Sequence, residues 1–264
     1  MALHAKWPST LVFFIVLLWV APPAEAQTSS RSPLYGMWSD PPATPVGWFC
    51  AGGCTDTGIE YLNRLLDDPA NDSRPFSELM AAAITHQQDT YIVPRLTDTA
   101  RRTYPLDPAD DPSFLRCQPY GLSRQIRSRH QLEIRESSDG RMELRYGEWD
   151  ARRTVYMDGR PLPANQEPSL LGYSVGRWDG EALVIESVGI RGHLGNFSVM
   201  QTDQLRVVER FTRLSDGTLL LTATLDDPAT FREPVTIKRI WRWAPEITIT
   251  AYDDCEIPAE FKRR

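Results

Sequence analysis

Four cysteines, four histidines and no long apolar run beyond residue 20 are what the 264-residue chain has to work with, and each shortage excludes something. A membrane-crossing helix needs about 20 consecutive apolar residues, and nothing downstream of residue 20 qualifies, so no stable membrane anchor is expected. Basic residues do not outnumber acidic ones: 29 Lys and Arg stand against 35 Asp and Glu, a net charge of −6. No basic patch interleaved with aromatics appears, which argues against nucleic acid as a partner. Cys50-x-x-x-Cys54 has no matching second pair and no histidine at ligand spacing, so no metal site is expected. The chain contains no P-loop, dinucleotide fingerprint or His-Glu-x-x-His, and no cofactor is expected. Gly172-Tyr173-Ser174-Val175-Gly176 has the look of a nucleophile elbow, but it falls inside a predicted strand rather than at a strand-to-helix turn, so serine catalysis is set aside.

What is present begins with a leader. His4 and Lys6 precede an apolar run from Leu11 to Val20, Pro22 and Pro23 break it, and Ala24-Glu25-Ala26 follows as a small-x-small pattern. This order predicts a secretory signal peptide over residues 1–26, and with it a periplasmic or secreted protein. The rival reading, an uncleaved anchor, is disfavoured by the two prolines. All four cysteines lie downstream, and an even count in an exported chain reads as two disulfides. Of the three possible pairings we favour Cys50–Cys54, which closes a tight loop through Ala51-Gly52-Gly53, and Cys117–Cys255, which would staple the start of the β region to the chain end.

Two regions follow: an irregular, partly helical extension over 27–116 and a β domain over 117–264. In the extension, the spacing of Ile59, Leu62, Leu65 and Leu66 predicts a helix over Thr57–Leu66, with Asp56 as its cap. A second helix is predicted over Phe76–Gln88 and a third over Thr97–Tyr104. From His130 onward the period becomes two. Strands are predicted at Gln131–Glu136, Met142–Glu148, Arg153–Met157, Leu171–Trp178, Ala182–Val188, Leu205–Thr212, Thr218–Leu225, Val235–Trp243 and Ile247–Tyr252. Ser138-Asp139-Gly140, Trp178-Asp179-Gly180 and Ser215-Asp216-Gly217 are hairpin signals. About nine strands in a meander gain by closing, because closure removes unpaired edges. The expected fold is therefore mainly β: an antiparallel up-and-down, lipocalin-like β-barrel. A two-sheet sandwich is the runner-up.

Alternation assigns faces. One face of the strand at 205–212 carries Leu205, Val207 and Phe211 with Glu209 among them. One face of 171–178 carries Leu171, Tyr173, Val175 and Arg177, and one face of 235–243 carries Val235, Ile237, Trp241 and Trp243 with Arg239 between. A buried lone charge is costly, so these ionisable groups should meet one another or line a wet cavity. The plain reading is a structural ion pair between Glu209 and an arginine. The functional reading is a cavity for a hydrophobic or aromatic small molecule, with Tyr173, Arg239, Trp241, Trp243, Phe211 and Asp158 as binding residues. The alternative is a cofactor-independent acid–base enzyme (a lyase, isomerase, cyclase or hydrolase). It would use Glu209 and His193, the latter in the glycine-rich stretch Gly189 to Asn196, with Arg177 steadying an oxyanion. A third reading is an envelope interaction module with a filled barrel and an exposed apolar patch. Asp158-Gly159-Arg160-Pro161 is a tight turn whose Asp and Arg read first as turn-formers.

Tyr156-Met157-Asp158-Gly159-Arg160-Pro161, the run Gly172 to Gly180, Leu183-Val184-Ile185-Glu186 and Leu205 to Phe211 together carry a resemblance, continued by Asp226-Asp227-Pro228 and Pro234-Val235-Thr236. Over roughly the last 160 residues, with Leu96-Thr97 and Cys117-Gln118-Pro119, the chain resembles a large bacterial family of exported β-rich proteins of unassigned function. The resemblance implies export and a shared β fold, and no activity. The loop around His193 departs from the form associated with that family.

Overall fold

The structure is a computed structural model that describes residues 33–39, 41–106, 119–191, 193–194 (backbone alone) and 198–250. Nine strands close into a barrel in the order β1, β11, β10, β9, β6, β5, β4, β3, β2. Their ranges are β1 Gly36–Ser39, β2 Leu132–Glu136, β3 Met142–Tyr146, β4 Arg152–Tyr156, β5 Tyr173–Asp179, β6 Ala182–Val188, β9 Arg206–Arg213, β10 Leu219–Asp226 and β11 Val235–Trp243. Two short strands, β7 His193–Leu194 and β8 Met200–Gln201, pair only with each other. The mainly β, closed-barrel expectation is met, and the sandwich is not formed.

Two features depart from a simple meander. The expected last strand at 247–252 does not form: residues 247–250 have no regular structure, and 251–252 lie outside the described residues. Its place is taken by β1, which lies between β2 and β11, with Trp38 opposite both Leu132 and Trp243. Gly36 permits this. Its φ is 132°, and a Cβ there would sit 2.2 Å from the Trp243 ring, so only glycine lets the strand approach. The second departure is that β4 and β5 run parallel and share two register pairs, Val155 with Ser174 and Tyr156 with Val175. The connection over residues 157–172 makes this possible, because a parallel pair needs a chain that returns to the same end.

Turn chemistry explains the antiparallel remainder. Leu214 to Thr218 closes β9 onto β10, with Gly217 at φ 82°, as the Asp-Gly signal implies. Along β10 Leu219, Leu221, Ala223 and Leu225 are buried and alternate with half-buried residues. The same alternation buries Val207, Glu209 and Phe211 in β9, and Val235, Ile237, Arg239 and Trp241 in β11.

The helices α1 Pro45–Cys50, α2 Asp56–Asp67 and α3 Phe76–Gln87 form a second apolar cluster around Phe49, Leu62, Leu79 and Ala83, with Ile240 of β11 packed against it. The cap of α2 is Thr55, whose hydroxyl accepts from the Gly58 amide at 3.1 Å, while Asp56 occupies the first turn. Thr55 also donates to Gln87 Oε1, tying the start of α2 to the end of α3. The helix α4, Asp98–Arg102, is shorter than expected and is capped by Thr97. A one-turn helix α5, Leu122–Gln125, buries Leu122, Ser123 and Gln125 before β2. Cys50 and Cys54 form the expected disulfide, fully buried, with Cα atoms 4.7 Å apart. The expected partners Cys117 and Cys255 lie outside the described residues.

Candidate functional site

Glu209 points into the barrel with no exposed surface, as the alternation of β9 requires. Its partner is neither Arg177 nor Arg239. Arg153 of β4, equally buried, places Nη2 at 2.5 Å from Glu209 Oε2. The same guanidinium donates from Nε to Ser174 Oγ at 2.8 Å, from Nη2 to Ser187 Oγ at 2.6 Å and from Nη1 to the Tyr146 hydroxyl at 3.4 Å. The two serine hydroxyls lie 2.9 Å apart. One arginine thus links β3, β4, β5, β6 and β9 through the interior. A signal for it exists in the sequence, since Arg153 has the same parity as Val155 within its strand.

The network shifts its members' ionisation. Burial pushes the Tyr146 phenol up to about 12; Arg153 pulls it back and Glu209 raises it further. Burial opposes charge on Arg153, but Glu209 and then Tyr146 outweigh it and hold the guanidinium above its ordinary range. Among the buried polar atoms without a hydrogen-bond partner in the described residues are both carboxylate oxygens of Glu209, of which Oε2 meets Arg153 as an ion pair, and the Trp241 indole nitrogen.

The remaining predicted residues divide. Phe211 is buried on the inner face, opposite Leu221 and Leu183. Arg239 is buried too, but it donates to the Ala51 carbonyl at 2.5 Å, on the disulfide loop, and its guanidinium lies 4.3 Å from the centre of the Trp241 ring. Trp243 is half-buried and meets Trp38 edge to face at 5.0 Å. The face assigned to β5 is reversed. Ser174 and Gly176 point inward, while Arg177 is 62% exposed on the outer face, where Glu186 lies 3.8 Å away. Small polar inner residues made the outer row of β5 look like the apolar one. Arg177 is therefore not brought to Glu209. His193 lies in the β7–β8 ribbon, opposite Gln201, and only its backbone is described. The glycine-serine-glycine stretch forms no elbow, because β5 runs on through Ser174 to Asp179.

Asp158 and Tyr173 sit on the outer surface with Tyr156. Asp158 is exposed and accepts from Arg160 Nε at 2.8 Å, and this contact holds its carboxyl below the usual range. The Arg160 guanidinium lies 4.0 Å from the centre of the Tyr156 ring, and that ring stacks on Tyr173 at 4.9 Å. Arg160 also donates to the Tyr173 hydroxyl at 3.2 Å. Beside this stack, at the β4–β5 seam, a cleft of about 370 Å³ is lined by Tyr156, Leu170, Leu171 and Tyr173 and by two members of the interior network, Arg153 and Ser174. A wider cleft of about 560 Å³, lined by residues 163–167, Val188, Gly189 and 203–205, reaches none of that network.

The described residues contain no cluster of three or more His, Cys, Asp or Glu able to hold a metal ion. No family model and no curated protein matches this chain.

Proposed function

We propose that this protein is an exported β-barrel that binds a small aromatic or hydrophobic molecule, taken in at the seam between β4 and β5. The observation that carries this reading is the seam cleft, whose volume of about 370 Å³ lies in the ordinary range for ligand sites. Its walls combine the rings of Tyr156 and Tyr173 and the side chains of Leu170 and Leu171 with polar groups from Arg152, Thr154 and Ser169, and Arg153 and Ser174 connect it to the only ion pair found inside the barrel among the described residues. Export is supported by the leader-like first 26 residues and by the buried Cys50–Cys54 disulfide, which suits an oxidising compartment. The resemblance to an exported bacterial family points the same way.

Tryptophan fluorescence of the mature chain, titrated with a panel of aromatic and aliphatic lipophiles, tests the binding. A saturable change is expected with aromatic members, and Tyr173→Ala should weaken it roughly 5–10-fold through the lost ring contact. No saturable response across the panel, or full binding by the variant, overturns the reading.

A further inference from the structure

The seam cleft lies where two strands part. Arg152, Arg153 and Thr154 of β4 pair on one side with Arg145, Leu144 and Glu143 of β3. On the other side the ladder to β5 begins only at Val155 and Ser174. The chain before β5 is held elsewhere: the Ser169 amide donates to the Gly189 carbonyl at 2.9 Å, the Arg191 amide to the Ser169 carbonyl at 2.8 Å, and the Leu122 amide to the Leu170 carbonyl at 2.9 Å. The Tyr146 amide donates to the Ala151 carbonyl at 2.9 Å, which sets the phase of the β3–β4 ladder. That phase turns the backbone N–H and C=O of Arg152 away from β3 and toward the cleft. Among the described residues no strand covers this edge, and the cleft of about 370 Å³ lies along it. The charged side chains lining the cleft are Arg152 and Arg153, with no Asp or Glu among them. Arg152 meets Asp150 at 3.2 Å and Glu143 at 3.7 Å yet stays 49% exposed, so N–H donors remain for a further acceptor.

Resting on the binding function proposed above, we infer that the ligand is a short extended peptide with an aromatic side chain and a free C-terminal carboxylate. Its backbone adds to the uncovered edge of β4, as an edge strand accepts a further strand. The side-by-side N–H and C=O of Arg152 call for one acceptor and one donor, which a peptide backbone supplies at the right spacing. A strand residue spans about 3.3 Å, so the edge from Arg152 to Thr154 takes a segment of a few residues. The outer row of β4 continues from Thr154 to Tyr156, whose ring stacks on Tyr173, and an aromatic side chain opposite Thr154 meets those rings. The carboxylate goes to the Arg152 guanidinium, so the segment runs antiparallel to β4.

The test uses four probes with one phenyl body: acetyl-Phe-Ala-Ala, the same peptide methylated at every amide nitrogen, its neutral C-terminal amide, and propylbenzene. Affinities are measured on the mature chain by calorimetry at neutral pH. Acetyl-Phe-Ala-Ala should bind at least about 10-fold more tightly than the methylated form, as the loss of its ladder hydrogen bonds implies, and at least as far ahead of propylbenzene. The amide should bind several-fold more weakly than the acid, and Arg152→Ala should erase that difference. Equal binding of the methylated form, propylbenzene binding as tightly as the peptide, an amide as tight as the acid, or an acid–amide difference that survives Arg152→Ala overturns the inference and leaves the binding function standing. Failure of all four probes overturns the inference, and the binding function falls with it when the lipophile panel is silent too.

Discussion

Arg153 reaches four side chains on four other strands from one buried guanidinium: Tyr146, Ser174, Ser187 and Glu209. Removing one half of such a pair strands the other charge in a low-dielectric interior, whereas removing both charges avoids that penalty. Arg153→Met should therefore destabilise the fold by about 3–5 kcal/mol, and Arg153→Met combined with Glu209→Leu should recover most of the loss. Urea unfolding of the two variants checks this. A double variant as unstable as the single one would show that the pair is not what holds these strands. At this scale alternation exposed Glu209, Phe211 and Trp241 as inward residues, since each sits among apolar neighbours of the same parity. It misplaced Tyr173 and Arg177 because β5 turns Ser174 and Gly176 inward, and hydrophobicity says little about a face made of serine and glycine.

Along the elements, the antiparallel ladders and the parallel seam differ in strength. β9 and β10 share eight register pairs, whereas β4 and β5 share two. Fewer ladder bonds mean a lower free energy of local opening, and a seam that opens locally is a natural way in for a molecule bound beside it. Native-state hydrogen exchange should show the amides at Val155, Tyr156, Ser174 and Val175 exchanging at least about 10-fold faster than those of β9 and β10. Equal protection in the two places would rule out a weak seam. Most strands and the helices α2 and α3 were legible as elements, because hairpin turns and helix periodicity are local signals. The closing strand was not. Gly36–Ser39 is four residues long, too short to show a period, and it becomes a strand only because Trp38 finds Leu132 and Trp243 on either side.

For the whole molecule, the proposal of export makes a mass prediction. The chain recovered from the periplasm or medium of an expressing cell should lack residues 1–26 and should be lighter than its reduced form by four hydrogens, one pair for each of two disulfides. Intact-mass spectrometry before and after reduction under denaturing conditions reads both. A full-length chain held in the membrane fraction, or an oxidised mass short by two hydrogens, would overturn the leader or the second disulfide respectively. The first disulfide also belongs to the barrel: its loop offers the Ala51 carbonyl to Arg239, and Cys54 exchanges backbone hydrogen bonds with Lys238 of β11. The helical extension is thereby fastened to the strand that β1 flanks.

By itself the sequence determined the local layer: where the chain turns, where the longer helices run, which segments alternate as strands, and that an acidic side chain would sit inside a β domain. These properties depend on neighbours a few residues away, and the preferences of those neighbours act whatever the rest of the chain does. Only the tertiary structure decided that β1 closes the barrel, that β4 meets β5 in parallel, and that Glu209 takes Arg153 rather than Arg177 or Arg239 as its partner. Those outcomes rest on the register between segments far apart in the chain. A slip of one residue there turns an entire row of side chains to the other face, so which charge meets which is settled when the strands are laid side by side.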